Sequence, residues 1–330
     1  MVPDDMPPRL RSLVERALAA QAESPTPPLP DPEPAPGETR EDWERRVARV
    51  RAQHDALALE TAARYGFLGD RDDPVGSIGY VDIPVEGGTI AARVYRPIDP
   101  GDRPPAIVVL HGGGWWMGGG AQGYRLGDGT CRMLCHGLGA VVLNVDYRLA
   151  PEFRFPVQLH DARDVVAWLR RGAGPQVDPD RVAVAGTSSG GHLAAALTLL
   201  LKDEGEQQLA MQVLVAPAVD LAEDPAGLED PQALRGIETL RRYYAGDAPN
   251  RAIPYLSPLR APDLSGLPPA VVVTGDFDPL TAPALDYVER LREAGVRVDH
   301  VSAPVTHTIG AQEDWRAAEE QILAACRELL

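Results

Sequence analysis

Gly186-Thr187-Ser188-Ser189-Gly190-Gly191 carries the residue types and spacing of a nucleophilic serine, a G-x-S-x-G corner between an apolar β-like run (Arg181 to Ala185) and a helix-like run (His192 to Leu201). The flanking glycines remove the Cβ atoms that would collide as strand and helix close on each other, so the Ser188 hydroxyl is thrust outward. The N–H of Ser189 then opens a helix, where the dipole and unpaired donors favour developing negative charge. The bland alternative is a glycine-rich β-α turn with a buried serine.

A second block, His111-Gly112-Gly113-Gly114-Trp115, follows the apolar run Ala106 to Leu110. Consecutive glycines at a strand end let backbone N–H groups point together into a cleft, which suits an oxyanion. No Gly-Lys-Ser/Thr follows and the spacing is not G-x-G-x-x-G, so a phosphate loop fits poorly. Gly113 and Gly114, with Gly112 beside them, are expected to share the anion with Ser189.

The serine needs a base and an orienting acid, and the chain order of an open α/β sheet places the acid after the strand that follows the insertion and the histidine after the last strand. Val271 to Leu280 offers Asp276 and Asp278. Beyond them lie His300 and His307. His300 alternates inside an expected strand, whereas His307 falls in the loop beyond it and is favoured. His54, His111, His136, His160 and His192 are scattered and read structurally. No H-E-x-x-H or Cys/His cluster suggests a metal, and no cofactor is expected.

The elements that must bring these residues together are strands at Ala106 to Leu110, Ala140 to Asp146, Val182 to Ala185, Met211 to Ala216, Ala270 to Thr274 and Val296 to Val301. Mostly solid apolar runs suit a parallel sheet covered on both faces, preceded here by a hairpin over Ile78 to Val85 and Thr89 to Tyr95. Helices are expected at about Gly123 to His136, Val157 to Arg170, Gly191 to Leu201, Ala282 to Ala294 and Ala311 to Leu330. This is an α/β chain with a mostly parallel central sheet flanked by helices. Residues 1–75 form an N-terminal helical arm, with helices at 8–23 and 38–65 around a proline-rich segment, 24–36, that is a linker or a wrapped arm. Residues 76–330 form the catalytic domain, with an insertion at about 217–267 that is rich in Pro and acidic groups.

The 330 residues can bury a large core. A balance of 32 Lys+Arg against 48 Asp+Glu, formally −16, argues against nucleic acid or an anionic membrane as partner. Lys202 is the only lysine. Cys131, Cys135 and Cys326 form neither a C-x-x-C pair nor an even disulfide set, and Met1 to Asp5 is no secretory signal, so a reduced, cytoplasmic chain without a bilayer span is expected.

Four blocks together resemble the bacterial hormone-sensitive-lipase-like family of α/β-hydrolase esterases: His111 to Trp115; Asp146-Tyr147-Arg148-Leu149-Ala150-Pro151-Glu152; Gly186 to Gly191; and Asp278-Pro279-Leu280 followed by His307. The resemblance spans roughly residues 75–330. It implies an α/β-hydrolase fold with a helical cap, Ser188 as nucleophile, His307 as base, Asp278 as its orienting carboxylate, and Gly113, Gly114 and Ser189 as oxyanion donors. Arg148 and Glu152 are expected to fix the turn into Phe153. The chain departs from the family at Ser189, where alanine is common, at Thr281-Ala282-Pro283, and at Thr308-Ile309, where Gly-Phe is usual.

The expected reaction is hydrolysis of a small-molecule ester through an acyl-enzyme, with short to medium acyl chains preferred because five per cent aromatic content and an acidic cap (Glu223, Asp224, Glu229, Asp230) do not suit a lipid surface. Gly112, Trp115 and Trp116 are expected to contact substrate. A homodimer is common in such esterases, though no interface is visible in the pattern. An acyltransferase, cyclase or amidase using the same triad is the alternative; a non-catalytic receptor, like the gibberellin receptors, would lack the histidine that this chain keeps.

Overall fold

The structure is a computed structural model that describes residues 3, 5–23, 25–66, 71–225, 228 and 230–330. Ser24 of the proline-rich segment and Glu229 of the acidic insertion lie outside the described residues. In chain order the elements are α1 (Pro8–Glu23), α2 (Arg40–Tyr65), β1 (Ser77–Val85), β2 (Gly88–Arg96), β3 (Ala106–Leu110), α3 (Gly120–Leu126), α4 (Asp128–Leu138), β4 (Val141–Asp146), α5 (Val157–Arg170), β5 (Val182–Thr187), α6 (Ser189–Asp203), β6 (Gln212–Val215), α7 (Pro231–Ala245), β7 (Ala270–Gly275), α8 (Thr281–Glu293), β8 (Val298–Ala303) and α9 (Gln312–Leu329).

The strands form one sheet in the order β1-β2-β4-β3-β5-β6-β7-β8. The β1–β2 and β2–β4 pairs are antiparallel and the rest are parallel. From β3 the chain moves outward to β4 and then returns across β3 to β5. That reversal makes the carboxyl ends of β3 and β5 the switch point at which open α/β sheets form a ligand crevice.

Alternation along each strand sends successive side chains to opposite faces. One face gathers Val108, Leu110, Val184, Leu214 and Val272 with Leu193 and Leu197 of α6 and Tyr287 and Leu291 of α8. The other gathers Ile107, Val109, Ala183, Val213 and Val271 with Cys131 and Cys135 of α4 and Ile322 and Cys326 of α9. The three cysteines are buried free thiols within this second layer. Burial on both faces is why the parallel strands read as unbroken apolar runs.

One expected helix is corrected. Residues 123–136 are divided between α3 and α4, which meet at Gly127. A Cβ there would lie 2.7 Å from Asn144 Nδ2 on β4, so the chain turns at the residue that can pass closest to the sheet.

The proline-rich segment is a wrapped arm. Its carbonyls are its main handles, because proline has no N–H to give. Pro27 O meets His54 Nε2 at 2.8 Å, Asp31 O accepts from Trp43 Nε1 at 3.0 Å, and Pro32 O accepts from Arg154 Nη2 at 3.1 Å. Pro30 O accepts from the Tyr243 hydroxyl of α7, so the arm joins α2 to the insertion. Among the described residues no helix is long and apolar enough to cross a membrane.

Candidate active site

Ser188 sits between β5 and α6 with φ +55° and ψ −116°. Such a conformation costs a non-glycine residue about 1–3 kcal/mol and persists only where its surroundings impose it. They do so through close approach. A Cβ on Gly186 would lie 2.2 Å from Gly190 O, and one on Gly190 would lie 2.0 Å from Leu110 O. The corner is also pinned from β6, where Val215 O accepts from Ser188 N–H at 2.8 Å, and from α6, whose His192 N–H donates to Ser188 O at 2.9 Å.

The acid and the histidine come from the next two strand ends. Past β7 and β8 the backbone stays paired, Asp276 N–H donating to Ala303 O at 2.8 Å and Phe277 N–H to Val305 O at 3.0 Å. Asp278 turns back on itself, its Oδ1 accepting from Leu280 N–H at 2.8 Å. The Thr281 hydroxyl donates to Gly275 O at 2.5 Å, giving this departure from the family pattern a place in the turn. Thr306 Oγ1 accepts from Ile309 N–H at 2.9 Å and Gly310 N–H donates to Tyr65 O of α2 at 3.0 Å, fixing the loop that carries His307.

As a result His307 Nδ1 lies 2.7 Å from Asp278 Oδ2 and its Nε2 lies 3.0 Å from Ser188 Oγ. Both are hydrogen-bond distances, so one imidazole bridges a buried carboxylate and a hydroxyl. Burial disfavours the imidazolium, but the charge of Asp278 and its hydrogen bond outweigh burial and hold the His307 pKa above its ordinary value. The other two candidates stand apart: Asp276 accepts from the Ser302 hydroxyl, and His300 Nε2 lies 2.8 Å from Thr274 Oγ1 on the neighbouring strand.

Gly112, Gly113 and Gly114 leave β3 beside this corner. A Cβ on Gly112 would lie 3.4 Å from Ser188 Cβ, and Gly113 and Gly114 have φ +114° and +61°. The N–H groups of Gly113 and Gly114 have no hydrogen-bond partner among the described residues. Ser189 is the first residue of α6, where a helix supplies no acceptor for the N–H. Among the described residues these three main-chain N–H groups find no acceptor.

Trp115 and Trp116, expected to contact substrate, are 4% and 2% exposed and pack against neighbouring side chains. Trp115 stacks on Tyr244 of α7 with centroids 4.6 Å apart and donates through Nε1 to His192 Nδ1 at 3.2 Å. Trp116 meets His54 and Tyr243 edge-on. Burial pulls His192 down to about 3, so it stays neutral. His111 stacks on Tyr147, whose hydroxyl donates back to His111 O at 2.7 Å.

Arg148 pairs with buried Asp161 of α5, as a turn-fixing role requires. Glu152 instead binds Arg51 of α2, Nη1 to Oε1 at 2.9 Å. Asp55, one turn further along α2, accepts from Gly118 N–H at 2.8 Å. Neither α2 residue stands out in the sequence, since the helix carries charges on most of its turns; their spacing of four was the available signal.

A family model described as alpha/beta hydrolase fold matches residues 107–308. The chain is 36% identical over 233 residues to an arylesterase of Saccharolobus solfataricus, covering 68% of this chain and 74% of that protein. It is 37% identical over 239 residues to the esterase LipI of Mycobacterium tuberculosis, covering 69% and 73%. A hyperthermophilic esterase from the archaeon Pyrobaculum calidifontis superposes with a TM-score of 0.77 at 34% identity, covering 98% of each chain. With that sheet order, that serine corner and these relatives, the chain belongs to the hormone-sensitive-lipase-like family of α/β-hydrolase-fold esterases and is a carboxylic ester hydrolase.

Proposed function

We propose that Ser188, His307 and Asp278 carry the hydrolysis and that the N–H groups of Gly113, Gly114 and Ser189 receive the oxyanion. The observation that carries this reading is the continuous hydrogen-bonded line from Asp278 Oδ2 through both His307 nitrogens to Ser188 Oγ, at 2.7 and 3.0 Å. His307 Nε2 takes the Ser188 proton as Oγ attacks the ester carbonyl carbon. The tetrahedral oxyanion is held by the main-chain donors, and the imidazolium, stabilised by Asp278, returns its proton to the departing alcohol. Water then attacks the acyl-enzyme by the same route, releasing the acid and free Ser188. Each oxyanion donor contributes on the order of 3 kcal/mol to lowering the barrier.

The substrate class is short- to medium-chain esters. Leu240 of α7 supports this: its δ carbons would lie 3.0 and 3.1 Å from a Cβ on Gly114, so the space over the glycine loop is already partly filled. Residues 1–75 and the 217–267 insertion act together as a cap, a role supported by the hydrogen bond of Tyr243 to Pro30. The formal charge of −16 and the unpaired thiols favour a cytoplasmic protein without a nucleic-acid partner.

The test is an ester panel of graded acyl length run beside Ser188→Ala. Turnover of p-nitrophenyl acetate and butyrate is expected from the wild type and none from the variant. Wild-type activity in a pure Ser188→Ala sample would remove the nucleophile, and faster turnover of long-chain emulsions than of butyrate would remove the substrate class.

A further inference from the structure

Main-chain donors stabilise an oxyanion only if they are held still before the charge develops. The 112–118 loop is a tight turn: Trp116 and Met117 N–H both donate to Gly113 O, at 3.2 and 3.1 Å. Its return leg lies against its outward leg. Gly118 has φ +89°, and a Cβ there would lie 2.5 Å from Gly112 O and 2.8 Å from His111 Nδ1. A Cβ on Gly113 would lie 2.3 Å from Met117 O. Any displacement of Trp116 to Gly118 is therefore passed directly to Gly112 and Gly113.

The outward leg leaves the end of β3, and beyond the return leg Gly120 N–H donates to Asp146 Oδ1 at the end of β4 at 3.0 Å. The return leg is held by α2, from the N-terminal arm. Asp55 is 5% exposed and its Oδ1 accepts from Gly118 N–H at 2.8 Å. One turn earlier, Arg51 donates through Nε to Trp116 O and through Nη2 to Ala150 O at 2.9 Å. Both Arg51 terminal nitrogens also reach the Glu152 carboxylate. A buried carboxylate is costly to keep where an apolar residue would pack, and Asp55 spends its acceptor on one amide of this loop.

We infer that Arg51 and Asp55 are positioning residues for the reaction: spaced one turn apart on α2, they hold Trp116 O and Gly118 N–H and thereby aim the N–H groups of Gly113 and Gly114 at the ester carbonyl oxygen. The inference rests on the reading of Gly113 and Gly114 as oxyanion donors. It adds that the N-terminal arm is part of the machinery that stabilises the transition state, and not only a cover.

The experiment compares wild type, Ser188→Ala, Asp55→Ala, Asp55→Asn and Asp55→Glu in steady-state hydrolysis of p-nitrophenyl butyrate, with circular dichroism on each. Misaiming the donors removes an interaction made in the transition state, so Asp55→Ala should lose about 100-fold in kcat with KM within about twofold. Asp55→Asn keeps an acceptor oxygen for Gly118 and should restore kcat. Asp55→Glu keeps the charge but displaces the acceptor, and should lose kcat like the alanine variant. If Asp55→Ala does not fold, the Asn and Glu variants decide: equal loss in both, or wild-type kcat in both, overturns the inference. A dead Ser188→Ala beside a fully active, folded Asp55→Ala overturns the positioning role alone, whereas an active Ser188→Ala overturns the reading beneath it.

Discussion

Replacing Gly190 by alanine puts a methyl group 2.0 Å from Leu110 O and 2.5 Å from His111 O. Both are backbone atoms at the end of β3, so neither can swing aside. Close-packed interiors do not hold carbon and oxygen nearer than about 3 Å, and the start of α6 must retreat from β3 by about 1 Å. Ser188 and Ser189 lie in the same turn and move with it, away from Gly112 on one side and His307 on the other. A misplacement of about 1 Å costs on the order of 100-fold in rate, or about 2.7 kcal/mol of barrier. The strain left in the fold should cost a further 1–3 kcal/mol or so of stability. The assay is kcat/KM for p-nitrophenyl butyrate with the urea midpoint measured in parallel. Gly236→Ala is the control, because a Cβ there meets nothing within 4 Å, and it should gain about 0.5–1 kcal/mol with unchanged kcat/KM. A Gly190→Ala enzyme with wild-type kcat/KM and midpoint would refute the close-approach argument for this corner.

Three further outcomes follow from the same geometry. His307 acts as a base only when neutral, and Asp278 outweighs burial in raising its pKa; the acid limb of kcat/KM should therefore have its midpoint above about 6.5 and move down in Asp278→Ala. An unchanged midpoint in that variant would deny the coupling, and the residual rate should be lower by about 10⁴. His192 is held at about 3 by burial, so below its unfolded-state value of about 6.5 protons favour the unfolded chain. Its contribution is complete above that pH and lost as pH falls; wild type should lose about 2 kcal/mol more between pH 7 and 5 than His192→Phe, by urea unfolding, and equal losses would contradict it. Leu240→Ala removes the side chain over Gly114 and should shift the optimum in an ester panel toward longer acyl chains, while an unmoved optimum would show that α7 does not limit them.

Much of the sheet was legible because parallel strands covered on both faces must be apolar throughout, and the expected runs differ from β3 to β8 by at most two residues at an end. The single helix expected over 123–136 failed because its break is set by a contact between Gly127 and Asn144, which no local pattern announces. Locally determined geometry, such as the glycines around Ser188, could be read from spacing. Asp276 and Asp278 could not be separated from residues alone, since both end the same strand and only the turn through Leu280 and Thr281 decides which carboxylate meets His307. The packing of the two tryptophans was not legible, because the residues that cover them, Tyr243 and Tyr244, come more than a hundred residues later in the chain. Arg51 and Asp55 were hidden for the opposite reason. On a helix crowded with charges, the pair that reaches inward looks like those that face water.

The central claim is that the Ser188 hydroxyl becomes the acylated atom. The most direct measurement is mass spectrometry of the protein after reaction with a p-nitrophenyl alkylphosphonate, which stops at the covalent stage. One adduct per chain is expected, localised to Ser188 in fragmented peptides and absent from Ser188→Ala. An adduct on Ser189 or elsewhere, or labelling that persists in Ser188→Ala, would contradict it.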